Sequence, residues 1–422
     1  MKCFGLYIIY NNKITDYALR IIVGGLLSVV CCFVTGCRDT LIPPEELPRA
    51  EAERTVIIYM ISDNTPYLPA REDTTEMAKG KNLIPENVNF IIYLDDRGSK
   101  PAIYELSAKN GITLWKQYEE EQKSTDASVM LEALSQIETY FPARHYGITF
   151  WSHATGWAPE HSSSRRYTFG KDQYPASEKI EMEIPVLRDV LAHFPKFDYI
   201  FFDACFMQCI EVAYELRGVT NFMVGSPAEI PGPGAPYDKI IDALCKGDAL
   251  DIVRGYDSGY PSTYKGYTYP GVLLSCIDCT QLEPLAAETG RLLYPFYKEH
   301  TEPYTTGFQS YCDISWNKFT YSFDMRTTMC RLLSGKADDF SAWDELFKKA
   351  VPFFSCSSSK SWYAAHCTKT DGINTTLEAP EYYGGVSMFV PMQKYDDNAC
   401  AWNESFQKTS WYEAAGWAAT GW

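Results

Sequence analysis

The sequence has little positive charge. It contains 38 Lys and Arg residues against 54 Asp and Glu residues, and its net charge is −16 with His neutral. A protein that binds nucleic acid places Lys and Arg against the phosphates, so this composition argues against a nucleic-acid partner. Hydrophobic residues make up 46% and aromatic residues 15% of the 422 residues, which is typical of a folded globular protein rather than a disordered or fibrous one.

Near its start, the sequence also lacks an apolar run of the ~20 residues that a membrane-spanning helix needs. Residues 21–34 form a shorter uncharged apolar run after Arg20, which suits the central region of a signal peptide. The small residues just before Cys37 resemble a bacterial lipobox, which implies cleavage before Cys37 and a lipid on its sulfur. We therefore expect a signal peptide over 1–36, a lipidated Cys37 and a polar tether over 37–54. The protein would then be exported and anchored to the membrane of the bacterial envelope, facing the periplasm or the cell surface. An uncut membrane anchor and a chance match are the alternatives.

Motifs for two other chemistries are missing. No G-x-S-x-G sequence is present, which argues against a serine hydrolase of the nucleophile-elbow type. C-I-D-C at 276–279 has no second pair of cysteines, which argues against a zinc site. We predict no resident metal and no cofactor, and the sequence leaves a calcium requirement open. Cys276 and Cys279 are instead candidates for a disulfide in an exported protein, or for buried free thiols.

After the tether, short apolar and β-branched runs alternate with stretches of helical periodicity. The runs predict buried strands at 55–61, 88–94, 146–151, 197–202 and 221–225. The periodic stretches predict helices that include 71–80, 184–194 and 207–216. Continuous apolar strands that alternate with helices indicate an α/β fold, in which helices cover a mostly parallel sheet on both faces. In such sheets, ligands bind outside the carboxyl ends of the strands.

Two residues with nucleophilic and basic chemistry follow these strands directly. His153 and Cys205 each come a few residues after the end of an apolar strand, so we expect both at the ligand-binding edge of the sheet. Adjacent strands lie ~5 Å apart, within the reach that an imidazole needs to assist a thiolate. Asp203 precedes Cys205 by two residues, so its side chain points to the same side of an extended segment.

The predicted helix after Cys205 also bears on its chemistry. A helix N-terminus lowers the pKa of a nearby thiol, and its free N–H groups can bind an oxyanion. The alternatives are simpler. A single Cys before a helix is often a small buried hydrophobic residue, and a His after a strand is often held by structural hydrogen bonds. The placement of both on one sheet edge favours the functional interpretation.

At these residues the sequence resembles the clostripain family of cysteine peptidases, which have a caspase-like fold. The resemblance rests on the segments YGITFWSHATGW (146–157) and FDYIFFDACFMQCIEVAYEL (197–216). It is supported by VIIYMISDN near the first strand, by SPAEIPGPGAPYD (226–238), and by GGVSMFVP (384–391), which looks like the family's last core strand. The likeness implies a caspase-like catalytic domain over 55–249 and a C-terminal subdomain over 250–422 that extends the sheet.

The resemblance also implies roles for individual residues. Cys205 would be the nucleophile and His153 the general base and acid. The oxyanion hole would consist of the backbone N–H groups of Cys205 and Ala154. The family usually has Gly where Ala154 stands, and Ala resists a positive φ and brings a methyl group toward the substrate. Asp203 would form the bottom of the pocket for the residue before the scissile bond (the P1 residue), and a buried carboxylate there favours Arg or Lys. The alternative for Asp203 is a structural cap on the following helix.

The family resemblance further implies activation by cleavage between the His and Cys strands. Residues 158–182 are predicted to be a long polar loop, with Arg165, Arg166 and Lys171 as candidate cleavage sites. The sequence thus predicts a cysteine endopeptidase whose partners are proteins or peptides with Arg or Lys at P1. The alternatives are a catalytically inactive, lipid-anchored binding protein with this fold, and another thiol acyl-transfer enzyme.

Overall fold

The computed structural model describes most of the chain after the predicted signal and tether. The described ranges are 47–64, 70–158, 168–173, 180–260, 263–268, 271–304, 307–314, 319–356, 362–363, 373–374, 383–396 and 401–422. The predicted signal peptide, Cys37, Arg165 and Arg166 lie outside these residues. Within the described ranges, no helix is both long and apolar enough to cross a membrane.

The described residues form eighteen strands and eleven helices. The strands are β1 (Ala52–Ile61), β2 (Val88–Asp95), β3 (Ala102–Ser107), β4 (Gly111–Gln117), β5 (Ala143–Trp151), β6 (Thr168–Asp172), β7 (Ile180–Glu183), β8 (Phe197–Asp203), β9 (Thr220–Gly225), β10 (Thr263–Tyr264), β11 (Tyr267–Thr268), β12 (Leu273–Asp278), β13 (Ser310–Ile314), β14 (Phe319–Asp324), β15 (Phe353–Cys356), β16 (Trp362–Tyr363), β17 (Ile373–Asn374) and β18 (Ser387–Met388). The helices are α1 (Ala70–Lys79), α2 (Ala127–Tyr140), α3 (Ile184–Leu191), α4 (Ile210–Leu216), α5 (Tyr237–Lys246), α6 (Ala249–Gly259), α7 (Leu282–Tyr297), α8 (Met325–Leu332), α9 (Ala337–Ala350), α10 (Trp402–Phe406) and α11 (Ser410–Ala414).

Nine of the described strands pair into one central sheet, in the order β15-β12-β9-β8-β5-β1-β2-β3-β4. The five central strands, β9, β8, β5, β1 and β2, are parallel to one another. The pairs at both edges, β2 with β3, β3 with β4, β9 with β12 and β12 with β15, are antiparallel. The predicted α/β fold with a mostly parallel sheet is confirmed. The carboxyl ends of β1, β5 and β8 therefore lie side by side at one edge of the sheet, where open α/β sheets bind ligands.

Two hydrophobic cores cover the two faces of this sheet. Along β1, alternate side chains enter opposite cores, with Ile57 and Tyr59 in one and Val56 and Ile58 in the other. This alternation explains the continuous apolar run, because a strand covered on both faces has no solvent side. We call the side packed by α1, α5 and α6 the α1 face, and the side packed by α2, α3, α4 and α7 the α2 face.

The helix predicted from residue 207 begins later, because the chain first pairs with another loop. Phe206 has a φ of 62°, which helical backbone does not allow. The N–H groups of Phe206 and Gln208 donate to the carbonyls of Ala228 (2.9 Å) and Ser226 (3.0 Å). Helix α4 therefore starts at Ile210, and the prediction of a helix directly after Cys205 is wrong.

Two further expectations need correction. The segment 384–391 contributes only the two-residue strand β18, which pairs with β14 outside the central sheet. The predicted continuous loop over 158–182 contains the hairpin of β6 and β7, which is stabilised because Phe169 and Met182 are buried in the core of the α2 face. Of the two alternatives for Cys276 and Cys279, the structure shows buried free thiols, because the two side chains belong to the cores on opposite faces of the sheet.

Candidate active site

His153 and Cys205 follow neighbouring parallel strands at the same level. The last paired residues of β5 and β8 are Trp151 and Asp203, which are partners in the ladder. His153 and Cys205 each stand two residues beyond this pair. Since paired strands lie ~5 Å apart, the two loops leave the sheet next to each other.

The backbone on either side of His153 is held by two neighbouring strands. The Ser152 hydroxyl donates to the carbonyl of Ile61 at the end of β1 (2.9 Å) and accepts from the N–H of Lys171 on β6 (3.2 Å). The N–H of Gly170 donates to the carbonyl of His153 (2.9 Å). Sequence reasoning missed Ser152, and a polar residue directly after an apolar strand was the signal available for finding it.

A glycine lets the His153 loop approach the Cys205 loop. Gly156 has a φ of 69°, and a Cβ atom there would lie 2.6 Å from the carbonyl oxygen of Phe206. Any other residue would clash with that backbone atom and would also be strained at this φ. The next residue, Trp157, is buried against the ring of Phe389, with ring centroids 4.5 Å apart. Gly156 therefore allows the close approach of the two loops, and Trp157 fixes the His153 loop in the core of the α2 face.

The Cys205 thiol is half-buried against the loop that follows β9. Its Sγ accepts a hydrogen bond from the N–H of Ile230 (3.3 Å) and lies 3.8 Å from the Ile230 carbonyl oxygen. Burial, and to a smaller degree the charge of Glu229, raises the pKa of this thiol to about 12. The predicted lowering of the pKa by a helix N-terminus is therefore wrong, because the N-cap of α4 is Cys209, four residues further on.

Ala154 carries no backbone strain at its position. It is not one of the described non-glycine residues with a positive φ, so the chain conformation suits Ala as well as Gly. Ala154 forms an isolated antiparallel bridge with Phe169 of β6, which fixes the segment directly after His153. The expectation that Ala would be strained here is wrong.

Asp203, the last residue of β8, is buried beside Ala235 and Tyr237 of the core on the α1 face. Its Oδ2 accepts hydrogen bonds from the N–H of Ala235 (3.1 Å) and from the hydroxyl of Tyr237 (3.0 Å). Its Oδ1 is buried without a hydrogen-bond partner among the described residues. Burial raises the pKa of this carboxyl to about 6. The alternative that Asp203 caps the following helix is wrong, since α4 begins seven residues later and has Cys209 as its N-cap.

A second carboxyl group, from Asp73 on α1, lies near that of Asp203. The indole Nε1–H of Trp151 donates to Asp73 Oδ2 (2.7 Å), and Asp73 is 1% exposed. Sequence reasoning missed Asp73, because it lies in a polar stretch far from both motifs and only the tertiary fold brings it to β8.

The site thus combines three chemical elements. It has a thiol, an imidazole on the adjacent strand end, and a buried carboxylate with one unpaired oxygen. This set can perform acyl transfer and can accept a cationic side chain. Among the described residues, no group of three or more His, Cys, Asp or Glu side chains is arranged to hold a metal ion. Lys171, one of the candidate cleavage sites, is half-buried in β6.

Comparison with known proteins gives one family and several similar structures. The model of the clostripain family matches residues 58–422. A secreted C11 cysteine protease from Bacteroides thetaiotaomicron, solved with an irreversible peptide inhibitor, is 30% identical. The match covers 87% of this chain and 100% of that one, with a TM-score of 0.73. A cysteine protease from B. fragilis is also 30% identical, over 60% of this chain and 99% of that one, with a TM-score of 0.52.

A more distant match supports the fold alone. An inactive zymogen C11 protease from Parabacteroides distasonis is 24% identical, over 87% of this chain and 99% of that one, with a TM-score of 0.71. No curated protein matches the chain.

Proposed function

This chain belongs to the clostripain family of cysteine peptidases, and we propose that it is an endopeptidase that cleaves after Arg or Lys. Cys205 is the nucleophile, His153 is the general base and acid, and Asp203 selects the P1 residue. The observation that supports the assignment most is the shared register, since Trp151 pairs with Asp203 and both reactive side chains follow two residues later.

The environment of the thiol determines when its proton leaves. Burial raises the pKa of Cys205 to about 12, so the resting thiol is protonated at neutral pH. His153 then takes the S–H proton as the sulfur attacks the carbonyl carbon, which is general base catalysis. The resulting oxyanion accepts hydrogen bonds from the N–H groups of Cys205 and Ala154. The imidazolium next gives its proton to the leaving amine, and the acyl-enzyme is hydrolysed by water that His153 deprotonates.

The pocket around Asp203 supplies the preference for a cation. Its Oδ1 has no hydrogen-bond partner in the described chain, and a buried carboxylate of this kind is strongly stabilised by a guanidinium or ammonium group. A neutral P1 side chain would leave the same oxygen unpaired. An unpaired buried polar group costs about 1–3 kcal/mol, and a charged group costs more.

Fluorogenic peptides that differ only at P1 test this proposal. We expect peptides with Arg or Lys to be cleaved on the order of 100-fold more efficiently than those with citrulline or norleucine, which is about 2.7 kcal/mol. Equal cleavage of all four peptides would contradict the role of Asp203 in selecting the P1 residue. Peptide binding without cleavage would indicate an inactive binding protein, and cleavage of esters alone would indicate another acyl-transfer enzyme.

Activation by cleavage between β5 and β8 is part of the proposal. Arg165 and Arg166 are the preferred site, because Lys171 belongs to strand β6 and its N–H donates to the hydroxyl of Ser152. We expect the purified chain to be cut at this pair as activity appears, and the Arg165→Gln, Arg166→Gln double variant to stay single-chain with low activity. N-terminal sequencing of the fragments measures this, and a wild-type protein that is fully active while single-chain would contradict it.

The N-terminal anchor is a separate proposal, supported by the sequence before Cys37. Lipidation would place the peptidase on the bacterial envelope. Incorporation of labelled palmitate into the wild-type protein and not into Cys37→Ala measures it, and equal labelling of both would contradict it.

A further inference from the structure

We propose that Asp73 is a second specificity-determining residue, whose carboxylate binds the cationic P1 side chain together with that of Asp203. The inference rests on the proposed preference for Arg or Lys and adds a residue to it. It makes the P1 pocket a two-carboxylate site, built from helix α1 and the end of strand β8.

The geometry of Gly234 shows that both carboxylates border one position. An atom at the Cβ position of residue 234 would lie 3.2 Å from Asp73 Oδ2 and 3.4 Å from Asp203 Oδ2. That position itself belongs to Gly234, but the two distances place the two carboxylate oxygens less than about 7 Å apart, a span that the N–H donors of one guanidinium can bridge. Gly234 has a φ of 65°, which glycine adopts without strain, so the loop passes the two carboxylates without a side chain of its own.

Both carboxyl groups are buried, and their hydrogen bonds leave capacity for a ligand. Asp73 is 1% exposed and Asp203 is 4% exposed. Asp73 Oδ2 accepts from the Trp151 indole, and Asp203 Oδ2 accepts from Ala235 and Tyr237. Asp203 Oδ1 is buried with no partner among the described residues. Each of these partners donates an N–H or O–H group, so both carboxyl groups act as hydrogen-bond acceptors.

The charge balance of the pocket points to a cationic ligand. In the described part of the chain, no Lys, Arg or His forms an ion pair with Asp73 or Asp203. Burial, followed by the charge of Asp203, raises the pKa of Asp73 well above its usual range. Two neighbouring buried carboxylates repel each other and lose hydration. A cation that enters between them relieves both costs at once.

The two-carboxylate arrangement suits Arg more than Lys. A guanidinium carries five N–H donors in a planar fork and can bond two carboxylates at the same time, whereas an ammonium is a compact charge with three donors. Loss of one carboxylate should therefore reduce the cleavage of Arg peptides more than that of Lys peptides.

The Asp73→Asn variant tests the proposal. Asn keeps an oxygen that can accept from Trp151, so the packing of α1 is retained while the charge is removed. We expect kcat/KM to fall about 10- to 100-fold for an Arg peptide, less for a Lys peptide, and within about 3-fold for a citrulline peptide. The Arg-to-citrulline ratio within one preparation does not depend on the fraction of folded enzyme.

Two controls separate contact from other effects. Glu76→Gln removes a charge one turn away on α1, at a residue whose charge also raises the pKa of Asp203, and it should change the ratio less than about 3-fold. The rate of Cys205 alkylation by iodoacetamide should be the same in Asp73→Asn as in the wild type, which excludes a general disturbance of the site.

Each outcome decides between the two proposals. If the wild type shows no preference for basic P1 residues, the proposed function fails. If the wild type has the preference, Asp203→Asn loses it and Asp73→Asn retains it, the role of Asp73 alone is overturned. An equal loss for Arg and citrulline peptides would also overturn it, because the role of Asp73 would then be structural. If Asp73→Asn does not fold, Gly234→Ala decides instead, since its methyl group would occupy the position between the carboxylates and should lower the same ratio.

Discussion

Peptide cleavage is expected to disappear when Cys205 is replaced with Ala, with a loss in kcat/KM of roughly 10⁴-fold or more. In the proposed mechanism the sulfur forms the covalent bond to the substrate acyl group, and Cys205 is the free cysteine two residues beyond the last paired residue of β8. His153→Ala should lower kcat/KM about 10²- to 10⁴-fold, because the half-buried thiol has a pKa of about 12 and needs a base at the moment of attack. The measurement is steady-state cleavage of an Arg peptide.

The matched control for the thiol is Cys330→Ala. Cys330 is a partly exposed free cysteine on α8, so the same chemical change there should leave activity within about 2-fold, as surface substitutions usually do. Cleavage of Arg and Lys peptides that persists in Cys205→Ala would rule out the assignment of the nucleophile. Retained folding of each variant is checked by its thermal unfolding midpoint.

The preference for a basic P1 residue is expected to fall about 100-fold in Asp203→Asn. Asn keeps an acceptor for the N–H of Ala235 and the hydroxyl of Tyr237, so the pocket keeps its shape and loses its charge. Thiol alkylation should remain, because the sulfur is hydrogen-bonded to Ile230 and not to Asp203. The readout is the ratio of kcat/KM for Arg and citrulline peptides, and an unchanged ratio would contradict the role of Asp203.

The same ratio should depend on pH in the wild type. Burial raises the pKa of Asp203 to about 6, so the group is charged above that pH and neutral below it. The preference for Arg should therefore decrease as the pH is lowered from about 7 to about 5, at up to tenfold per unit below the pKa. Any protonation that changes the cleavage of both peptides by the same factor cancels in the ratio. In Asp203→Asn the remaining pH dependence reports on Asp73 and Glu76, the acidic neighbours of the pocket.

The sequence was sufficient to predict the five parallel strands and the position of His153 and Cys205 after two of them. Apolar runs such as 55–61 and 197–202 specify buried strands by local pattern, and parallel strands place their carboxyl ends at one edge whatever the loops do. The thiol environment was not predictable in this way. It depends on the positive φ of Phe206 and on the approach of Ile230, which come from contacts between distant loops. Asp73 was missed for the same reason, since its partner Trp151 lies 78 positions away along the chain.

If the proposed roles hold, the two faces of the sheet separate the residues that bind the P1 side chain from those that support the reactive imidazole. Trp151 and Tyr237, which hold Asp73 and Asp203, belong to the core of the α1 face, whereas Trp157 and Phe169, which hold the His153 loop, belong to the core of the α2 face. Substitutions in α1 and α5 can therefore alter the choice of peptide while the imidazole and its supports stay in place. A lineage of such enzymes could acquire new targets by small steps, each of which leaves a working peptidase, and a laboratory library confined to the α1 face should do the same.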